Sequence, residues 1–177
     1  MTTTATIRSA NEQAVILSLG EWHVTDDPDA VLVCLGLGSC VAISLYDPIV
    51  KVAAMAHMVL PDSTAGRASP GSAKFVDQAM PMLIEELRAA GANKNRLVAT
   101  MTGGACMLAS TFKGGPEQVG PRNVVATKEA LAEAGIAIKE EETGGNHGRT
   151  VRLYVGTGEV HISTAGSSAV REFARAA

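Results

Sequence analysis

The stretch that decides the fold is GLGSC at residues 36–40, followed by the apolar run VAISLY at 41–46, the dipeptide Asp47-Pro48 and a second apolar run, VAAMAHMVL, at 52–60. Two apolar runs on either side of a short Asp-Pro turn are typical of a β-hairpin. The glycines before Cys40 favour a turn that can present free backbone N–H groups. The sequence therefore predicts a hairpin whose first strand begins directly after a cysteine.

The register of this hairpin decides whether Cys40 meets His57. If the hairpin is symmetric about the bond between Pro48 and Ile49, its loop has two or four residues and Cys40 lies directly opposite His57. Directly opposed residues have Cβ atoms roughly 4.5 to 5.5 Å apart on one face, which lets a thiol and an imidazole meet. A loop of three or five residues would leave the two side chains on opposite faces.

A histidine on an apolar strand admits two interpretations. Taken alone, it is more often a satisfied core residue than a catalyst. An imidazole beside a thiol, however, accepts the thiol proton, and the resulting ion pair is the activated nucleophile of cysteine hydrolases. With N–H groups of the 36–40 turn available for an oxyanion, Cys40 and His57 suit attack on an amide or ester carbonyl. Among the other histidines, His161 alternates with apolar neighbours and is expected on the exposed face of its strand.

Strands outnumber helices in the rest of the chain. Apolar runs bounded by turn residues predict further strands at residues 14–18, 31–34, 97–102, 136–140, 150–155 and 160–164. Helical spacing predicts helices at residues 72–90, 123–134 and 168–176. Pro81 is expected to kink the first helix or begin a second, and Asn123 is expected to cap the helix that follows.

Length, charge and composition exclude several classes of protein. A chain of 177 residues is most simply one domain, with residues 1–13 as a loose N-terminal extension. A net charge of -3 with no Lys/Arg-rich run, and only 3% aromatic residues, argue against nucleic-acid binding.

Three cysteines do not make a disulfide framework, and no Cys/His pair has zinc-site spacing. Without a secretory signal or a long apolar segment, we expect a cytoplasmic protein with no membrane insertion.

Several separated motifs carry a resemblance to a known family. They are CLGLGSCVA at residues 34–42, LYDP at 45–48, MAHMVLP at 55–61, TGGACM at 102–107, Arg122-Asn123 and GGNHGR at 144–149. In this order, and over roughly residues 15 to 165, they resemble the CheD family of chemoreceptor glutamine deamidases.

The resemblance implies an α+β fold, a layered sandwich of mixed β-sheet with flanking helices, related to toxin-type cysteine deamidases. It implies that Cys40 is the nucleophile and His57 the base of a hydrolase that converts glutamine side chains of methyl-accepting chemotaxis receptors to glutamate through a thioester. It also implies that no metal or organic cofactor is required, and that a CheC-type phosphatase is a possible partner.

Three positions depart from the family pattern. Cys34 stands where the family has a threonine that completes a triad, and either packs as a small buried side chain or retains a role in orienting His57. Ala53-Ala54 replaces two glycines, and Cys106 replaces an asparagine. These departures leave open an adaptor that binds receptors or the phosphatase without useful catalysis, and a redox switch through Cys34 and Cys40.

Overall fold

Two β-sheets of five strands each pack face to face, and two helices cover the outer face of one of them. The computed structural model describes residues 13–107 and 119–173. The strands are β1 (Gln13–Ile16), β2 (Trp22–Thr25), β3 (Ala30–Leu37), β4 (Val41–Asp47), β5 (Val52–Met58), β6 (Val98–Gly103), β7 (Ala137–Thr143), β8 (Arg149–Tyr154), β9 (Glu159–Thr164) and β10 (Val170–Phe173). The helices are α1 (Val76–Ala89) and α2 (Val119–Ala134).

Both sheets are mixed. The first has the strand order β1-β3-β8-β9-β10, and the second has the order β2-β5-β4-β6-β7. β1 pairs with β3 and β6 pairs with β7 in parallel, whereas the other neighbours are antiparallel. The predicted α+β class, with a layered sandwich of mixed sheet and flanking helices, is confirmed.

The core has two layers because the strands of the second sheet are buried on both faces. Alternate side chains of β4 and β5, including Met55, point toward the first sheet. They form an inner cluster with side chains of β3, β8 and β9, including Leu32 and Leu153. The intervening side chains pack against the helices in an outer cluster. The continuous burial of β4 and β5 agrees with their nearly uninterrupted apolar sequence.

The hairpin between β4 and β5 forms, but its register differs from the prediction by two residues. Asp47 pairs with Val52 across a four-residue turn at 48–51, so His57 lies opposite Ala42 rather than opposite Cys40. The turn places Lys51 in the left-handed region at a φ of 57°. A shift of two residues preserves the face, so the prediction that Cys40 and His57 share one face is confirmed while direct opposition is wrong.

Some element predictions were wrong where tertiary contacts outweigh local preference. The predicted helix at 168–176 is the strand β10 over its described part, because the open edge of β9 offers backbone partners from Val160 to Ser163. The edge strand β2 was not predicted. α1 continues through Pro81, and α2 already includes Val119, so Asn123 lies inside that helix rather than at its cap. Residues 1–12 lie outside the described residues, while Gln13 pairs with Ala30 in β1.

Candidate active site

The first part of the site is the turn that carries Cys40. β3 ends at Leu37 and β4 begins at Val41, so Gly38, Ser39 and Cys40 form the connection between the two sheets. Cys40 is a free cysteine of intermediate burial, and it packs against the inner cluster. The thiol therefore lies at the boundary between the inter-sheet core and solvent.

Backbone hydrogen bonds hold this turn against the end of β6. The carbonyl of Cys40 accepts the N–H of Gly104 at 2.7 Å, and the carbonyl of Gly38 accepts the N–H of Ala105 at 2.8 Å. Gly103 has a φ of 113°, and a Cβ at that position would lie 2.2 Å from the carbonyl oxygen of Cys40. Glycine at position 103 is therefore required by this close approach of two backbones.

The second part of the site is the buried imidazole of His57 on β5. Its side chain is only 5% exposed, and its Nδ1 lies 3.1 Å from the carbonyl oxygen of Leu17. The backbone of His57 is bound on both sides, because its N–H donates to Glu21 and its carbonyl accepts the N–H of Gly20, each at 2.9 Å. The segment after β1 thus encloses the histidine.

These contacts determine the tautomer of His57. A carbonyl oxygen can only accept a hydrogen bond, so Nδ1 carries the proton and donates it to Leu17. In the neutral ring Nε2 then carries the free lone pair. This Nε2 is buried and has no hydrogen-bond partner among the residues that the structure describes. The ring is therefore oriented at one nitrogen and left available as a proton acceptor at the other.

Burial disfavours the charged form of each member of the pair. Burial lowers the pKa of His57 below its usual value, although the hydrogen bond to Leu17 and the charge of Glu21 act in the other direction. Burial also raises the pKa of the Cys40 thiol, although the backbone N–H of Cys40 itself favours the thiolate. Both directions oppose the resting ion pair expected from the sequence, because the interior penalises each charged form.

Cys40 and His57 are near neighbours on one face of the β4–β5 hairpin. His57 lies opposite Ala42, and Cys40 precedes Ala42 by two residues. Such diagonal neighbours in a sheet have Cα atoms roughly 7 to 8 Å apart and Cβ atoms somewhat closer. No hydrogen bond joins Nε2 of His57 to any described residue, so a proton transfer from the Cys40 thiol would require the two side chains to move closer.

Cys34 faces the same inner cluster from β3, on the opposing sheet. It is fully buried, and its Sγ lies 3.6 Å from Sδ of Met55. Burial raises the pKa of Cys34 to about 12, and repulsion from a Cys40 thiolate would act in the same direction. Nδ1 of His57 donates to the carbonyl of Leu17, and the side-chain contact of Cys34 is with Met55. A role for Cys34 in orienting His57 stays a prediction.

The remaining chemistry-bearing residues do not join this site. His161 was expected to be exposed, but it is 9% exposed and its ring lies 4.6 Å from the ring of Tyr154. Within residues 13–107 and 119–173, no group of three His, Cys, Asp or Glu side chains is placed to hold a metal ion. None of the helices in the same ranges is long and apolar enough to cross a membrane.

Comparisons with known proteins agree with the motifs. A family model described as CheD chemotactic sensory transduction matches residues 59–164. The probable chemoreceptor glutamine deamidase CheD of Symbiobacterium thermophilum is 46% identical over 153 residues, which cover 85% of this chain and 92% of that protein. The chemoreceptor glutamine deamidase CheD of Thermotoga maritima is 44% identical over 151 residues, with the same coverage of each chain. The chain therefore belongs to the CheD family.

The similarity to solved structures of other families is weaker. The hypothetical protein YfiH of Bacillus licheniformis superposes with a TM-score of 0.48 at 12% sequence identity, covering 79% of this chain and 62% of that protein. A score at this level does not establish a shared fold, so the expected relation to toxin-type deamidases stays a prediction.

Two residues that contact the site were not assigned to it by the sequence analysis. Leu17 acts through its carbonyl, which any amino acid would provide, so no side-chain signal could have identified it. Asn123 is completely buried, and its side chain donates to the carbonyls of Ser39 and Val59. An asparagine after Pro121-Arg122 is typical of a helix start, and this local pattern concealed its contact with the turn.

Proposed function

We propose that this protein is a cytoplasmic hydrolase that deamidates specific glutamine side chains of methyl-accepting chemotaxis receptors to glutamate, and so regulates chemotaxis. The curated relatives are named for this activity, and the chain covers nine tenths of their length. The observation that carries the mechanism is the free lone pair on Nε2 of His57, which is buried on the same face as Cys40.

In the proposed mechanism, Cys40 is the nucleophile and His57 the general base. Nε2 of His57 accepts the thiol proton as the sulfur attacks the carboxamide carbon of the substrate glutamine. The carbonyl oxygen becomes an oxyanion and receives N–H donors from the turn at Gly38, Ser39 and Cys40. The proton on Nε2 then passes to the leaving nitrogen, ammonia departs, and a thioester remains on the sulfur.

Water completes the reaction. Nε2 of His57 accepts a proton from water as its oxygen attacks the thioester carbon, and the proton returns to the sulfur when the C–S bond breaks. The net change is one glutamine and one water converted to one glutamate and one ammonia. The hydrogen bond from Nδ1 to the carbonyl of Leu17 keeps the ring in place through both proton transfers.

The test is deamidation of purified cytoplasmic fragments of receptors, followed by ammonia release and by mass spectrometry. Each modified glutamine gains about 1 Da through a hydrolysis that requires the nucleophile. We expect Cys40→Ala to abolish both signals. Cys106→Ala is the matched control, because it removes another thiol of intermediate burial and should leave the activity unchanged. Deamidation that persists in Cys40→Ala would overturn the mechanism.

The adaptor remains the second candidate, and the substitution at Cys34 is the observation that favours it. An adaptor would bind receptors or a CheC-type phosphatase through surfaces that do not require the thiol. In that case wild-type protein would release no ammonia from receptor fragments, and Cys40→Ala would leave the affinity for either partner and the chemotactic response intact. Loss of the chemotactic response in Cys40→Ala, with unchanged binding, would exclude the adaptor.

A further inference from the structure

Asn123 connects the two parts of the site through one side-chain atom. It lies on α2 with no exposed surface, and its Nδ2 donates to the carbonyl oxygen of Ser39 and to that of Val59, both at 2.9 Å. Ser39 directly precedes Cys40 in the turn, and Val59 follows His57 by two residues at the end of β5. One amide group therefore bridges the nucleophile turn and the strand that carries the base.

The chemistry of the two acceptors fixes how the amide is oriented. Both partners are carbonyl oxygens, so the nitrogen must face them, since the reverse orientation would set an oxygen against two oxygens. Asparagine is suited to this because a single nitrogen supplies two N–H donors on a short side chain. The helix is seated beside the turn by Gly120, where a Cβ would lie 2.6 Å from the carbonyl oxygen of Ala105.

The bond to Ser39 acts on the atom next to the reacting sulfur. The carbonyl of Ser39 and the N–H of Cys40 belong to one planar peptide unit and point in opposite directions. Holding the carbonyl therefore fixes the direction of the N–H. The same N–H lowers the pKa of the Cys40 thiol, although burial outweighs it, so its direction bears on the charge that the sulfur can carry.

We infer that Asn123 is a positioning residue, which aims the backbone N–H of Cys40 at the oxyanion and fixes the nucleophile turn at a set distance from the His57 strand. This inference rests on the proposed thioester mechanism and adds to it the group that prepares its oxyanion site. Asn123 does not touch the substrate. Its effect is exerted through two backbone carbonyls, so it should appear in the chemical step more than in binding.

The experiment compares Asn123→Asp and Asn123→Ala with Thr127→Val. Asn123→Asp keeps the shape but loses both donors, and Asn123→Ala removes the side chain. Thr127 is the matched control because it is equally buried one turn further along α2, and its hydroxyl donates to the carbonyl of Asn123 at 2.7 Å without reaching the turn. For each variant kcat and KM are measured on receptor fragments, together with thermal stability and the rate of Cys40 alkylation by iodoacetamide.

We expect kcat to fall about 100-fold in both Asn123 variants, as for the loss of one oxyanion donor, while KM changes less than about threefold. Alkylation of Cys40 should require a higher pH, because the N–H that favours the thiolate is no longer held. Thr127→Val should lose stability and keep its kcat. A wild-type kcat in Asn123→Ala, or an equal loss of kcat in Thr127→Val, would overturn the inference.

The outcomes separate this inference from the proposed function. If wild-type protein releases no ammonia, the proposed function fails, while the alkylation measurement still reports whether Asn123 controls the Cys40 peptide. If Asn123→Asp does not fold, Asn123→Ala decides. If neither folds, Asn123 is a structural residue and the inference is wrong.

Discussion

The two ends of β4 lie only six residues apart in sequence, yet their buried polar groups differ in how completely they are hydrogen-bonded. At one end Asp47 is fully buried and bound by Arg96 at 2.7 Å and by the backbone N–H of Asn93 at 2.8 Å. At the other end, the thiol of Cys40 and the imidazole of His57 lie on one face, and Nε2 of His57 has no partner among the described residues. The buried carboxylate at one end therefore has hydrogen-bond donors, whereas the buried ring nitrogen at the other end has no described partner.

The two groups are suited to different roles, one in the stability of the hairpin and the other in chemistry. A buried carboxylate with several donors holds the hairpin in a single register. A buried nitrogen without a partner costs folding free energy, and its free lone pair is the feature that a general base requires. We therefore expect the Asp47 end of the strand to matter for stability and the Cys40 end to matter for the proposed chemistry.

The largest effect is expected from removing the base. His57→Gln should lower the deamidation rate roughly 10²- to 10⁴-fold, the range for losing a general base. The free energy of unfolding should change by less than about 1 kcal/mol, because glutamine can still donate to the carbonyl of Leu17 and Nε2 has no bond to lose. Steady-state kinetics and urea unfolding provide the two measurements.

The control for this variant is His23→Gln, on the neighbouring strand β2. His23 is exposed and pairs with Met55 through the backbone only, so neither activity nor stability should change. A deamidation rate in His57→Gln within tenfold of wild type would show that His57 is not the base.

A smaller effect is expected from acid at the Asp47 end. Burial alone would raise the pKa of Asp47, but the hydrogen bonds from Arg96 and from the backbone of Asn93 and Ile49 outweigh it and lower the pKa to about 2. A lowered folded-state pKa stabilises the protein above the unfolded value of roughly 3.9, and this stability is lost as the pH falls toward 2. The contribution is about 1 to 2 kcal/mol after allowing for the partial exposure of Arg96.

Unfolding by urea between pH 7 and pH 2 tests this assignment. Asp47→Asn should be less stable than wild type at neutral pH, and the difference should shrink as the pH falls below about 4. Asp26→Asn, which changes an exposed carboxyl before β3, should follow wild type throughout. A constant difference between wild type and Asp47→Asn would mean that the charge of Asp47 does not stabilise the hairpin.

The smallest effect is expected at Cys34. Cys34→Thr introduces the threonine that the resemblance implies at this position, but the carbonyl of Leu17 already holds Nδ1 of His57. The deamidation rate should therefore change less than about threefold, since a new hydroxyl would at most add one hydrogen bond to the ring. Cys34→Ala serves as the control for lost packing against Met55. A rise of tenfold or more in Cys34→Thr would mean that Leu17 does not replace the threonine.

The sequence indicated the parts of the site that depend on local pattern. The turn residues predicted a hairpin, and a symmetric turn about the bond between Pro48 and Ile49 placed Cys40 and His57 on one face. The register was missed because it depends on distant groups. Arg96 and Asn93 bind the carboxylate of Asp47 and keep it as the last paired residue of β4, and no pattern near the turn records those contacts.

The remaining contacts of the site come from tertiary structure. The carbonyl of Leu17 orients His57 from a segment 40 residues away, and Asn123 reaches the turn from a helix 84 residues after Ser39. A backbone carbonyl has no sequence signature. A buried asparagine near a helix start is indistinguishable in sequence from a capping residue.

The neutral state of the resting pair is tested most directly by the pH dependence of Cys40 alkylation, with modified peptides identified by mass spectrometry. Because burial disfavours both the thiolate and the imidazolium, we expect the alkylation rate to keep rising with pH and to level off only above the roughly 8.5 of an ordinary thiol. A rate that has already reached its plateau at about pH 7 would reveal a resting thiolate–imidazolium pair and contradict the neutral pair.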